Sequence, residues 1–64
     1  MNKRAMLRIV ARRYPQHVIQ SASCVGNVWT VSLRHADGGP LVQVKIYRRH
    51  GLTNVEVSNV WRQK

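Results

Sequence analysis

The segment VWTVSLRHADGGPLVQVKIY, residues 28–47, carries the clearest structural pattern in the chain. Two runs rich in Val, Ile and Thr alternate between apolar and polar residues on either side of Asp37-Gly38, a dipeptide typical of two-residue type I′ hairpin turns. With that turn, Leu33 faces Val42, Val31 faces Val44 and Trp29 faces Ile46, while Arg34 faces Leu41, Ser32 faces Gln43 and Thr30 faces Lys45. Turn chemistry and alternation agree, so the segment predicts a β-hairpin with one apolar and one polar face.

A second hairpin is indicated on the N-terminal side of this one. If Gly26-Asn27 forms a turn, Val18, Ala22 and Cys24 join the apolar face of the sheet. Gln20 is then the one misfit, because the alternation directs it to the same face. The pattern therefore predicts a strand that pairs with the strand before Asp37.

A third hairpin is indicated on the C-terminal side. A turn near His50-Gly51 sets Val55 opposite Ile46 and Val57 opposite Val44. These pairs extend the apolar face by one more strand, so the chain after Pro15 is predicted to be an antiparallel meander of three to four strands.

The first residues have a helical period instead. From Lys3 to Tyr14 the apolar side chains fall on one sector at 100° per residue, and Pro15 is expected to end the helix because proline pushes the preceding residue out of helical geometry. The apolar sector consists of Ala5, Met6, Leu7, Ile9, Val10 and Tyr14. The fold class is therefore α+β: an N-terminal amphipathic helix packed on the apolar face of the sheet, in a single domain of residues 1–64.

The charge balance points to an anionic partner. The chain contains 11 Lys and Arg against only two acids, Asp37 and Glu56, which gives a formal net charge of +9. Self-repulsion of this size opposes compaction and is relieved when a polyanion binds. Nucleic acid, duplex or single strand, is the expected partner, and an acidic protein surface is the alternative.

Two further features bear on the cellular setting. The one cysteine, Cys24, cannot form an intramolecular disulfide, which favours a reducing, cytoplasmic compartment. No apolar run approaches the roughly 20 residues of a membrane-spanning helix, so no membrane span is expected. The sheet edges also permit a homodimer.

The candidate contact residues are all basic. Arg4, Arg8 and Arg12 lie at i, i+4 and i+8, so the helix period gathers them into a stripe opposite the apolar sector. Lys3 and Arg13 flank this arginine stripe. A second cluster precedes the turn at Gly51, and Arg34 lies at the opposite end of the sheet, with His35, Arg62 and Lys64. The second cluster consists of Lys45, Arg48, Arg49 and His50. Lysine and arginine side chains can contact phosphates without recognising the base sequence. The alternative is that these charges only face solvent, on the helix surface and at the hairpin tip, and keep the sheet edges soluble.

The outer, polar face of the predicted sheet lacks the aromatic residues of a base-stacking platform. Its residues are mostly short and polar, and Tyr47 is the one aromatic among them. Alternation directs Trp29 and Trp61 to the apolar face instead, where they are expected in the core. A stacking surface for single strands, which normally shows several exposed aromatics, is therefore not predicted.

Catalysis and cofactor binding have little support in the sequence. The first hairpin sets Val18 opposite His35, which brings His17 near His35, and such a pair beside arginines is one route to acid-base cleavage of RNA. The two carboxylates do not form a pair, and the histidines and the cysteine lack the spacing of metal ligands. We therefore expect no enzyme activity, no metal and no cofactor.

The expected function is non-enzymatic binding of nucleic acid through backbone phosphates, with little sequence specificity. The first alternative is a small regulator or inhibitor, of the kind that phages and mobile elements encode, that docks on an acidic surface of a larger nucleic-acid-processing protein. The second is a small ribonuclease-type toxin using His17 and His35. In element order alone the chain resembles small double-stranded-RNA-binding domains, but those end in a second helix where this chain has VEVSNVWRQK.

Overall fold

A computed structural model describes residues 1–61 and has an α+β architecture. One N-terminal helix packs on a four-stranded antiparallel sheet whose strands are adjacent in sequence order, as predicted. The elements are α1 (Lys3–Arg13), β1 (His17–Val25), β2 (Val28–His35), β3 (Leu41–Arg49) and β4 (Leu52–Trp61).

Helix α1 has defined ends. The side-chain oxygen of Asn2 accepts a hydrogen bond from the backbone N–H of Ala5 at 2.8 Å, which satisfies one of the free donors of the first turn. At the other end Tyr14 leaves the helical conformation, with φ −132°, although its N–H still donates to the Val10 carbonyl at 2.8 Å. Pro15 follows directly, so the predicted end of the helix is confirmed.

The central hairpin, β2 with β3, has the predicted register in all six pairs. The predicted two-residue turn at Asp37-Gly38 is wrong: the strands end at His35 and Leu41, and the Gly38 N–H donates to the His35 carbonyl at 2.9 Å. A type I′ turn needs positive φ at both central residues, and only Gly38, at φ 83°, adopts it. The Asp37 N–H bonds to Nδ1 of His35 at 3.1 Å instead.

Strand β1 is joined to β2 by the predicted turn at Gly26-Asn27, but its register shifts between Ile19 and Ser21. Gln20, the misfit of the sequence pattern, is the extra residue of this β-bulge. Because of this shift, the residues before Gln20 point to the faces opposite to those predicted. Ile19 therefore pairs with Leu33, and the predicted inward position of Val18 is wrong, because Val18 pairs with Arg34 on the outer face and is 59% exposed.

Strand β4 follows a tight turn in which His50 and Gly51 both have positive φ, at 52° and 75°. Both predicted pairs, Val55 with Ile46 and Val57 with Val44, are confirmed. A second bulge then adds Ser58, whose hydroxyl donates to the Gln43 carbonyl at 3.1 Å. This shift brings Val60 opposite Val42 and overturns the prediction for Trp61, which pairs with Leu41 on the outer face and is 42% exposed.

The hydrophobic core is formed by the helix and the two central strands. Its buried side chains are Met6, Val10, Val31, Leu33, Val44 and Ile46. Trp29 packs against this cluster and its Nε1 donates to the Met1 carbonyl at 3.1 Å, so its predicted inward position is confirmed. On β4, by contrast, Val57 and Val60 are 56% and 50% exposed, so α1 leaves the flank of the apolar face open.

Candidate nucleic-acid interface

The arginine stripe lies on the solvent side of α1. Met6 and Val10 point into the core, while Arg4, Arg8 and Arg12 are all exposed on the opposite side of the helix. At about 1.5 Å of rise per residue, successive arginines are roughly 6 Å apart along the axis. Three guanidiniums therefore project from one side over roughly 12 Å, with no packing role for their charged ends.

The positive charges lack acidic partners in the described part of the chain. Within residues 1–61 the one close approach of a basic to an acidic side chain is that of His35 Nδ1 to Asp37 Oδ2, at 3.8 Å, and it involves no lysine or arginine. The second acid, Glu56, accepts a hydrogen bond of 2.7 Å from the hydroxyl of Tyr47. This bond raises the pKa of Tyr47 above its ordinary value, mainly because the hydrogen bond that the phenol donates to the carboxylate stabilises the protonated phenol. Both acids are thus engaged away from the arginine stripe.

The remaining predicted contact residues are exposed but fall on different sides of the molecule. Lys3 and Arg13 lie at the two ends of α1, and Arg34 lies near the C-terminal end of β2. Arg62 and Lys64, predicted to lie near Arg34, are outside the described residues. The hairpin-tip cluster divides between the two faces of the sheet, because adjacent strand residues point in opposite directions. Arg48 continues the helix side after Ile46, whereas Lys45 and Arg49 lie on the outer face, and His50 is in the turn.

One part of the tip does approach the arginine stripe. Arg12 and Arg13 border an open groove of about 320 Å³ with Ile9 on the helix and Thr53 and Val55 on β4. Arg48 is the cross-strand partner of Thr53, on the same side of the sheet. The end of the stripe therefore borders a groove with an apolar floor, and Arg48 lies on the same side of the sheet as this groove.

The two histidines are brought together, although not by the predicted pairing. His17 itself, and not Val18, is opposite His35, and the ring centroids are 5.0 Å apart in an edge-to-face contact. Tyr14 packs on the other side of His17 at 5.3 Å. Because the rings touch, no space for a phosphate exists between them.

The hydrogen bonds of His35 further define this pair. Its Nδ1 accepts from the Asp37 backbone and its Nε2 lies 3.3 Å from Oε1 of Gln16, so the bonding pattern assigns the ring hydrogen to Nε2. Nδ1 of His17 is buried and has no hydrogen-bond partner among the described residues. Tyr14, His17 and His35 therefore pack together where the C-terminal end of α1 meets the open end of the β1–β2 hairpin.

Sequence reasoning placed Trp61 in the core and so missed it as a residue of the outer face. The signal was present: two polar residues, Ser58 and Asn59, separate Val57 from Val60 where strict alternation requires one. The same irregularity at Gln20 and Ser21 marks the bulge of β1. Trp61 thereby joins Arg34 and Leu41 in one cross-strand row on the outer face.

Comparison with protein families, curated proteins and solved structures yields no significant match for this chain. Within residues 1–61, no three His, Cys, Asp or Glu side chains are grouped so that they could hold a metal ion. No helix in the same range has the length and apolar character needed to cross a membrane.

Proposed function

We propose that this protein is a non-enzymatic nucleic-acid-binding domain that contacts backbone phosphates through the arginine stripe. One observation supports this most directly: Arg4, Arg8 and Arg12 are exposed along one side of α1, and no carboxylate among residues 1–61 pairs with them. Like charges at i and i+4 destabilise a helix by a few tenths of a kcal/mol per pair, so an isolated stripe is unfavourable. Phosphate contacts remove that penalty.

The second contact is the groove bordered by Arg12 and Arg13, together with Arg48, the cross-strand partner of Thr53 in the groove wall. Its position lets a phosphate backbone that follows the stripe continue toward the β3–β4 tip. Guanidinium groups form paired hydrogen bonds with phosphate oxygens, which position a nucleic acid without identifying its bases. Little sequence specificity is therefore expected from this side of the molecule.

The test replaces Arg4, Arg8 and Arg12 with Gln and measures binding of labelled oligonucleotides over a range of salt concentrations. The wild-type protein is expected to bind more weakly as salt rises, because each phosphate contact releases counterions and contributes about 0.9 to the logarithmic slope. The triple variant is expected to lose roughly 2 to 3 units of slope and to remain folded, since glutamine is a good helix former.

A charge-matched control separates the stripe from the overall charge. Ala22→Glu, Cys24→Glu and Asn27→Asp also lower the net charge by three, at exposed positions on β1 and its turn. This control is expected to keep most of the slope. Equal losses in the two variants would mean that only the net charge matters, and absence of wild-type binding at low salt would remove the proposal.

The leading alternative is a small regulator that docks on an acidic protein surface. It gains support from the exposed Val57 and Val60, since phosphates offer nothing to valine side chains, whereas protein surfaces do. A ribonuclease activity has less support, because His17 and His35 are packed ring against ring. Labelled RNA is expected to stay intact with the protein, and cleavage that His35→Ala abolishes would restore the ribonuclease alternative.

A further inference from the structure

The outer face of the sheet, on the side opposite α1, is a second surface with its own chemistry. Within residues 1–61 no element covers it. The middle of β1 and β2 contributes only short hydroxyl side chains to it, so this part of the face is flat. These residues are Ser21, Ser23, Thr30 and Ser32.

Two aromatic residues rise from this face, one near each end. Trp61 lies in a cross-strand row with Val18, Arg34 and Leu41. Tyr47 lies between Val28 and Asn54 near the opposite end. Leu41 and Tyr47 are six residues apart on β3, or roughly 20 Å at strand spacing. The two rings therefore cannot stack on adjacent bases.

The outer face also carries basic side chains. Arg34 is two strands from Trp61 in the same row, so the two backbones are roughly 10 Å apart at ordinary strand spacing. Lys45 and Arg49 lie on β3, on either side of Tyr47. The acid of this face, Glu56, is the cross-strand partner of Lys45 and accepts the hydrogen bond of the Tyr47 hydroxyl, so it lies at the Tyr47 end of the face and away from Trp61.

We propose that the outer face binds single-stranded nucleic acid, with Trp61 stacking on an unpaired base and Arg34 contacting a neighbouring phosphate. The proposal rests on the proposed function and names the form of nucleic acid. In a duplex the bases are stacked on each other, so a tryptophan on a flat sheet reaches only bases that are unpaired. The arginine stripe carries no aromatic residue and binds either form.

The two tryptophans provide the test, because they lie on opposite faces. Trp29→Phe leaves Trp61 as the one fluorescent tryptophan, and Trp61→Phe leaves Trp29, whose Nε1 bonds to the Met1 carbonyl. Both variants are checked for folding by circular dichroism and titrated with single-stranded DNA, single-stranded RNA and a duplex of equal length. Single strands are expected to quench Trp61 strongly and Trp29 little, and the duplex is expected to quench neither.

Affinity gives an independent measure. Trp61→Ala is expected to lower single-strand affinity at least about fivefold, since base–aromatic stacking is lost. Val60→Ala, at the neighbouring position on the helix side, is the matched control and is expected to change affinity less than about twofold.

Each outcome can be assigned to one of the two proposals. If fluorescence anisotropy of a labelled strand reports binding while Trp61 emission stays constant, the outer-face proposal is wrong and the arginine stripe alone accounts for binding. Equal quenching by the duplex also overturns the single-strand assignment. If anisotropy detects no binding of any form at low salt, the proposed function itself fails.

Discussion

The central hairpin and the two edge strands have similar residues but differ in how regularly they pair and in how deeply they are buried. Strands β2 and β3 pair without interruption and supply the four enclosed sheet residues of the core. Strands β1 and β4 each contain one bulge and supply none. A single helix, roughly 10 Å across, covers only the middle of a four-stranded sheet, so the packing energy is concentrated there.

This difference divides the molecule into a part that holds the fold and a part that is free to present side chains. Bulges at edges re-aim side chains and disturb the regular backbone pairing that would recruit another strand. Here they turn Val18 and Trp61 outward and bring Ile19 and Val60 inward. A homodimer through either edge stays a prediction.

The largest expected effect comes from removing a central side chain. Leu33→Ala should lower the free energy of unfolding by about 2–5 kcal/mol, because the side chain is fully enclosed and its loss leaves a cavity. Val60→Ala, on the half-exposed edge, should cost less than about 1 kcal/mol. Urea denaturation followed by circular dichroism compares the two, and similar losses would show that the core extends under β4.

Deleting Ser58 would remove the bulge of β4 and restore strict alternation. The pairs on either side would then continue without the extra residue, so Val60 would stay inward opposite Val42 and Trp61 outward opposite Leu41, at a cost of about 1 kcal/mol for the lost hydrogen bond from Ser58 to Gln43. In a Trp29→Phe background the emission maximum of Trp61 is therefore expected to stay the same. A shift to shorter wavelength would mean that the deletion changes the register and turns Trp61 toward the helix side.

The turn between β3 and β4 offers a smaller effect of opposite sign. His50 has φ 52°, which is a left-handed conformation. This conformation is unfavourable for a residue with a Cβ atom, whereas glycine adopts it at little cost. His50→Gly should therefore stabilise the edge hairpin by a few tenths of a kcal/mol, after the extra flexibility of glycine in the unfolded chain is subtracted. Thermal unfolding measures the change, with Asn27→Gly in the other edge hairpin as the comparison. A clear loss of stability would show that the His50 side chain contributes a contact.

The smallest expected effect is an alkaline loss of stability at Tyr47. Its pKa is raised in the folded protein by the hydrogen bond to Glu56, so folding favours the neutral phenol. The resulting stability is present below the unfolded pKa of about 10 and is lost as the pH rises through the folded value. Melting temperatures of the wild type and Tyr47→Phe should converge at alkaline pH. A difference that stays constant with pH would mean that ionisation of Tyr47 is not linked to folding.

Much of the fold was predictable because local pattern and long-range pairing agree. The helix of residues 3–13, its end before Pro15, and the register of Leu33 with Val42 all follow from periodicity, proline geometry and alternation. The arginine stripe was predictable for the same reason, since the helix period alone places three arginines opposite the core. Their exposure then required only that the apolar sector pack on the sheet.

Tertiary structure alone decided the faces of the edge strands. Alternation predicts a side chain's face only while the register holds, and one inserted residue reverses every position beyond it. At Gln20 and Ser58 the polar doublets were visible in the sequence, but pairing across the sheet determined which residue was left out of the ladder. That choice moved Trp61 from the predicted core to the surface opposite the helix and set His17, instead of Val18, against His35.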